Sequence, residues 1–368
     1  ANFGQRPFVH TIPTGYQSLC TANLTEPTIA LPTDHFDILL YSGNGSQNRA
    51  ITGLNFSPNW VWLKSRTNTY FHQTHDTVRG SSGGVLYTNQ SSAEDSTYAL
   101  ASFDSNGFTV YKDSNNDAQN DNGEDYVAWN WKAGTSFSNS AGSNGATIAS
   151  TGSVNTTAGF SIVSYTGNAT RDQKVYHGLN AVPKWMIVKR RTGDNWIGYH
   201  GESNATNPQR YYYETQNQDA RKGDNTAFMW DDIVPDSNTF GIYSDGAVNL
   251  NGGPFIAYVF AEVVGFSKFG HYVGNGNSDG VFINLNFRPA LVIVKSNANG
   301  ESWVMFDNER EGSGLTGNPR AKRLQQNEAS AEDDASGRYK DFISNGFKVR
   351  GTSGEQNSAL GAIAGHEI

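Results

Sequence analysis

The sequence predicts an all-β protein of tandem β-sandwich, jelly-roll-like domains, and three observations carry that expectation. Glycine is abundant at 40 of 368 residues, and only 17% of the chain is charged. Asn, Ser, Thr and Gly fill the polar positions, which favours turns over helices. The 8 Trp, 17 Tyr and 20 Phe supply more apolar surface than a disordered chain carries. The third observation is a long internal repeat, the usual sign of an array of similar units.

The repeat runs in a fixed order. "YSGN" (41–44), "YTGN" (165–168) and "YVGN" (272–275) each close an alternating segment. "PNWVWLK" (58–64), "PKWMIVK" (183–189) and "PALVIVK" (289–295) follow with one Pro-to-Lys spacing. "SNGF" (105–108 and 344–347) and "SNTF" (237–240) come next. "YVAWNW" (126–131) and "FIAYVF" (255–260) end the first two copies, whereas "SALGAIAGHEI" ends the third without aromatics.

Each signal predicts an element. Y-x-G-N reads as a turn whose glycine supplies a positive φ. The proline opens a strand, where its missing N–H costs least. That strand is apolar on both faces and should be covered on both. In the closing strand Val127, Trp129 and Trp131 share one face and match Ile256, Tyr258 and Phe260. Large residues opposite small ones fit a sandwich with the large face turned inward. The expected units are 36–134, 159–265 and 266–368, the last diverged, with a final strand either degenerate or completed by chain beyond Ile368, and with 135–158 as a Gly/Ser/Asn/Thr linker.

The candidate sites are few. In "KDSNNDAQNDNGEDY", Asp113, Asn115, Asp117, Asp121 and Glu124 fall at calcium-loop positions, so calcium is the one cofactor the chain suggests. Ala118 replaces the usual glycine and strands flank the loop, which favours a solvated hairpin tip. His72 and His75 stand three apart, an odd separation that turns them to opposite faces of a strand. Asp76-x-x-Arg79 recurs as Asp307-x-x-Arg310, a spacing that reads as a structural loop clamp. Glu94 and Glu332 occupy equivalent polar loops. Tyr211, Tyr212 and Tyr213 form a run that predicts a contact surface, for a ligand or for a neighbouring subunit or domain. No catalytic constellation, phosphate loop or cysteine nucleophile is present, so no enzyme is expected.

The net charge of −8 argues against nucleic acid, which needs clustered basic residues. The longest apolar run, 255–266, contains Glu262 and is too short for a membrane span. Cys20 is the only cysteine.

The pattern of Y-x-G-N, the Pro-to-Lys strand, "DTVRG", "SFDSNGFTV" and "YVAWNWKAG" resembles a domain of unknown function. That domain recurs, often in tandem, in structural and tail-fibre-like proteins of marine bacteriophages. The opening "NFGQRPF" and "PTGYQSL" resembles the tail end of a SPRY-like phage domain, which makes 1–35 a connector. The resemblance implies a non-enzymatic virion protein, extracellular and assembled with other virion proteins. It would be a tail fibre or surface appendage, a homo-oligomer with a trimer expected, that touches a host surface glycan or protein. Its loops 66–104, 200–236 and 309–341 differ most among the copies and are the expected recognition elements. The rival expectations are a purely architectural capsid decoration or fibre shaft, a polysaccharide depolymerase and a bacterial extracellular filament protein.

Overall fold

The computed structural model describes residues 27–111, 118–219, 222–223, 229–297, 300–311, 317–334, 337–358 and the backbone of 362–367. The connector expected at 1–35 lies outside the described residues up to position 26. The regular structure of the described residues is nearly all antiparallel sheet.

One strand order recurs three times. In the first unit the opening strand Phe36–Ser42 pairs with the closing strand Asp125–Trp131, which pairs with the lysine strand Trp60–Ser65, then Gln73–Asp76 and Leu86–Tyr87. The second unit orders Phe160–Thr166, Pro254–Ala261, Pro183–Arg190, Ile197–His200 and Tyr211–Glu214 in the same way. The third orders Lys268–Val273, Ala362–Glu367, Leu291–Ser296, Val304–Asp307 and Leu324–Gln325. The third unit therefore has its closing strand, degenerate in sequence as one of the two expectations had it. Backbone pairing on both sides places it without any aromatic in its sequence.

The segment expected as a linker is part of a sheet. Thr135–Asn139 and Ser150–Asn155 add two strands beside Phe160–Thr166. Ile148 and Val154 join the second unit's core, and Phe137 packs against it. An opening strand at a sheet edge leaves backbone groups unpaired, and these small-residue strands satisfy them.

A smaller sheet covers one face of each large one: Arg49–Thr52 with Gly107–Val110 and Ser102–Asp104, Gln173–Tyr176 with Thr239–Ile242, and Asp279–Asn284 with Gly346–Arg350 and Tyr339–Ile343. Val61, Leu63, Tyr126 and Ala128 fill the first of these sandwiches with Phe108 and Val110. The large aromatic face points the other way. Trp60, Trp62, Trp129 and Trp131 join Phe160, Trp185, Tyr258, Phe260, Leu291, Trp303 and Met305 in one cluster shared by all three units. Trp60 stacks on Tyr258 of the second unit at 4.3 Å between ring centroids. The large faces therefore lie between the units and the small faces inside each sandwich, the reverse of the expected assignment. Three apolar faces of one chain, two of them rich in aromatics, cover each other and keep that area from water.

The Y-x-G-N motif also has a different cause from the expected one. Gly43, Gly167 and Gly274 are absent from the positive-φ residues. What they need is space, because a Cβ would meet backbone at 1.9 Å (Asp121 O), 2.4 Å (Leu250 O) and 2.3 Å (Asn357 C). The motif's tyrosines Tyr41, Tyr165 and Tyr272 each donate to a backbone carbonyl at 2.7 Å, on Gln119, Val248 and Gln356. The next residues, the buried Asn120, Asn249 and Asn357, accept from the N–H of Asn44, Asn168 and Asn275 at 3.1, 2.7 and 2.9 Å. Sequence reading missed these asparagines, although each stands six residues before the closing-strand residue that pairs with the motif's tyrosine, Tyr126, Phe255 or Ile363.

Candidate functional site

The most chemically organised features are the joints between units. Asp76 and Arg79 are in contact at 2.5 Å, and Arg79 also reaches Glu94 at 2.7 Å. The second unit completes this cluster. Tyr258 donates to Asp76 at 2.7 Å, and Arg191 pairs with Glu94 at 2.7 Å. The third unit repeats the cluster with Asp307, Arg310 and Glu332 at 2.6 and 3.2 Å. The first unit completes that one through Trp129 Nε1 to Asp307 at 3.1 Å and Arg66 to Glu332 at 3.0 Å. Trp129 and Tyr258 are equivalent closing-strand residues, and Arg66 and Arg191 both stand two places after the unit's lysine. The Asp–Arg pairs are thus anchored across joints as well as within their own loops.

The remaining joint, between the second and third units, lacks the Asp–Arg–Glu cluster. His200 and Ser203 stand where Asp and Arg would be, and Tyr213 donates to Asn297, which replaces the arginine. At the centre the equivalent residues Thr88, Gln326 and Thr215 meet, with Thr88 Oγ1 at 3.4 Å from Gln326 O and Gln326 Nε2 at 3.5 Å from Thr215 O. First to second, second to third and third to first, the joints close a ring.

The lysines of the repeated strand are buried and bind backbone carbonyls. Lys189 donates to Ser91 O at 3.0 Å and Lys295 to Gln218 O at 3.3 Å, both across joints. Lys64 donates to Ser65 O at 2.7 Å and Asn68 O at 3.0 Å. Burial pushes Lys64 down to about 7 and Lys189 and Lys295 down to about 8.

Parts of the loops expected as recognition elements contribute to these joints. Glu94 N donates to Arg191 O, and Glu332 N to Arg66 O, both at 2.8 Å. Gln218 reaches Glu328 at 2.6 Å. Loop backbone at a buried joint must find partners, and here the neighbouring unit supplies them.

The other sequence candidates fall as follows. Asp113, Asn115 and Asp117 lie outside the described residues. Asp121 accepts from Tyr70 at 2.6 Å, and Glu124 accepts from Thr67. No group of three His, Cys, Asp or Glu fit for a metal occurs among the described residues. His72 accepts from Trp62 Nε1 at 3.1 Å, while His75 faces Gln73 at 3.4 Å. The two do not converge, and burial holds both neutral, His75 down to about 3. Tyr213 is 1% exposed and lies in the shared core, which overturns it as a ligand platform and agrees with the alternative of packing against a neighbouring domain. Tyr212 is half-buried against the second core, and Tyr211 is half-buried with its carbonyl accepting from Trp230 at 3.1 Å. No helix among the described residues is long and apolar enough to cross a membrane.

The sequence model of one family, a domain of unknown function (DUF7483), matches residues 31–362, and the chain belongs to that family. A single family domain thus spans all three units. No curated protein and no solved structure matches the chain.

Proposed function

We propose that this protein is a non-enzymatic structural component of a bacteriophage virion, a tail-fibre or surface appendage that contacts the host. It would act outside the cell beside other virion proteins and as a homo-oligomer. The observation that best supports this reading is the ring of three sandwiches on one aromatic core, tied by buried ionic joints. Such a body resists local opening, because no unit can leave without exposing the apolar faces of the other two. A rigid body presented in several copies suits weak contacts that add through copy number.

A purely architectural role is the second reading. The use of the most variable loops to seal joints favours it, because loops so engaged are less free to vary for a host.

The test is staining of a panel of marine bacterial cells with the purified, fluorescently labelled protein, in calcium and then in EDTA. Selective staining is expected. Loss of staining in EDTA would bring the 113–124 loop into the contact, and absence of staining on every strain would leave the architectural role.

A further inference from the structure

The joint between the third and first units holds a cavity of 140 Å³. Phe36, Phe266 and Phe287 give it apolar walls, and Asp37, Arg288 and Glu309 give it charge. Its residues come from the opening strand of the first unit, the 265–266 turn and two segments of the third unit. The Asp37 carboxylate accepts one local bond, from Ile38 N at 2.8 Å. Among the described residues nothing binds the Glu309 carboxylate, although its N–H donates to Asp307 at 3.1 Å. The side-chain oxygen of Asn308, which also lines the cavity, is buried without a partner.

The repeat supplies an internal control. "LNFSP" (53–58 region, Leu54 to Pro58) and "LNFRP" (Leu285 to Pro289) share every residue but one. At the first–second joint, Ser57 stands for Arg288, Thr77 for Asn308, Val78 for Glu309 and Ser161 for Asp37. Val78 packs on the shared core, and Ser161 donates to His177 O at 2.6 Å. At that joint the positions equivalent to the cavity lining therefore hold no carboxylate and no arginine, beside the Asp76–Arg79–Glu94 cluster that both joints share. Placing two carboxylates in a partly desolvated cavity costs stability, and local rules are broken in this way at functional sites. Desolvation raises both Asp37 and Glu309, and Asp307 and Asp37 raise Glu309 further.

The lining selects the ligand's charge. Two carboxylates repel an anion. Arg288 and Arg320, both close enough to act on Glu309, oppose a cation. A neutral ligand with several hydroxyls satisfies both, donating to the carboxylates and accepting from Arg288, while a ring face lies on phenylalanine. The small volume admits one ring and not a chain. We infer that this cavity binds a single neutral sugar residue, such as the end of a host-surface glycan. The host origin of that sugar rests on the function proposed above, but the chemistry of the cavity does not.

The experiment is saturation-transfer NMR on the purified protein with glucose, galactose, mannose, fucose, N-acetylglucosamine and N-acetylgalactosamine, and with methylammonium and acetate as charged controls. The comparison is the double variant D37S/E309V, whose residues are those of the first–second joint. At least one sugar should bind, and its Kd should rise at least tenfold in the variant while the melting temperature holds or rises. Binding of no sugar, binding of a charged control only, or equal sugar binding by the variant would overturn the inference. A clear fall in the variant's melting temperature would assign the carboxylates to structure and also overturn it. Cell staining without sugar binding would remove the cavity's role and keep the host-contact reading. Sugar binding without cell staining would do the opposite.

Discussion

Replacing Asp307 by Asn tests whether the units are one cooperative body. The Asp307 carboxylate is buried and accepts from Glu309 N at 3.1 Å, Arg310 N at 3.0 Å, Arg310 Nε at 2.6 Å and Trp129 Nε1 at 3.1 Å. Breaking a buried ion pair by removing one partner costs roughly 3–5 kcal/mol. Arg310 keeps Glu332 at 3.2 Å and Met305 O at 3.0 Å, so the lower end of that range applies. The Trp129 N–H loses a charged acceptor, which adds about 1 kcal/mol. The sum is about 4 kcal/mol, a large effect for one atom exchanged. Urea unfolding followed by tryptophan fluorescence reads it directly. D307N should move the midpoint by that amount in a single transition, and Trp129→Phe combined with it should cost less than the sum of the two. A loss under about 1 kcal/mol, or a third unit that melts alone, would refute a joint-coupled ring.

Other outcomes follow from the same geometry. Gly167→Ala places a Cβ 2.4 Å from Leu250 O, and the forced backbone shift should cost about 2 kcal/mol, seen as a lower melting temperature. Burial pushes His177 down to about 4 and His75 to about 3 from 6.5. Unfolded chains then bind more protons, so stability holds above about pH 6.5 and falls below it by up to about 1.4 kcal/mol per pH unit per histidine. Melting from pH 7 to pH 4 should show that fall, and His177→Gln should flatten it by one proton. On the alkaline side the three buried lysines, lowered to about 7 and 8 from 10.5, give rising stability as pH climbs from about 7.5 toward 10. Denaturant midpoints at pH 7.5 and 9.5 check the sign, and Lys189→Met should remove its share of the slope.

The local elements were legible in the sequence because strands and turns are written at short range. The proline, the alternation and the Y-x-G-N turn all mark positions that the structure uses. The packing of the large faces was not legible. The lysine strand is apolar on both sides, so its pattern cannot say which side meets its own small sheet and which meets another unit. The joints were half legible. Glu94 and Glu332 were recognisable as equivalent, but the partner of Glu332 is Arg66, 266 positions away, and no local signature carries such a pairing. The cavity had a readable signal in Arg288 against Ser57 and Glu309 against Val78, two differences between copies that otherwise match closely.

Those differences separate two kinds of departure from the repeat. At the second–third joint the departures are matched: His200 replaces the aspartate, Ser203 its arginine, and Asn297 the arginine that would arrive from the neighbour. No buried charge is left unanswered there, as expected where packing alone sets the residues. At the third–first joint the charged cluster is kept whole, and beside it Asp37 and Glu309 are added with Arg288, leaving a carboxylate that no described residue binds. Packing explains the first set completely. It gives no reason for the second, since Ser161 and Val78 fill the corresponding places at the first–second joint. An unanswered carboxylate in a walled cavity is accounted for by something that enters it.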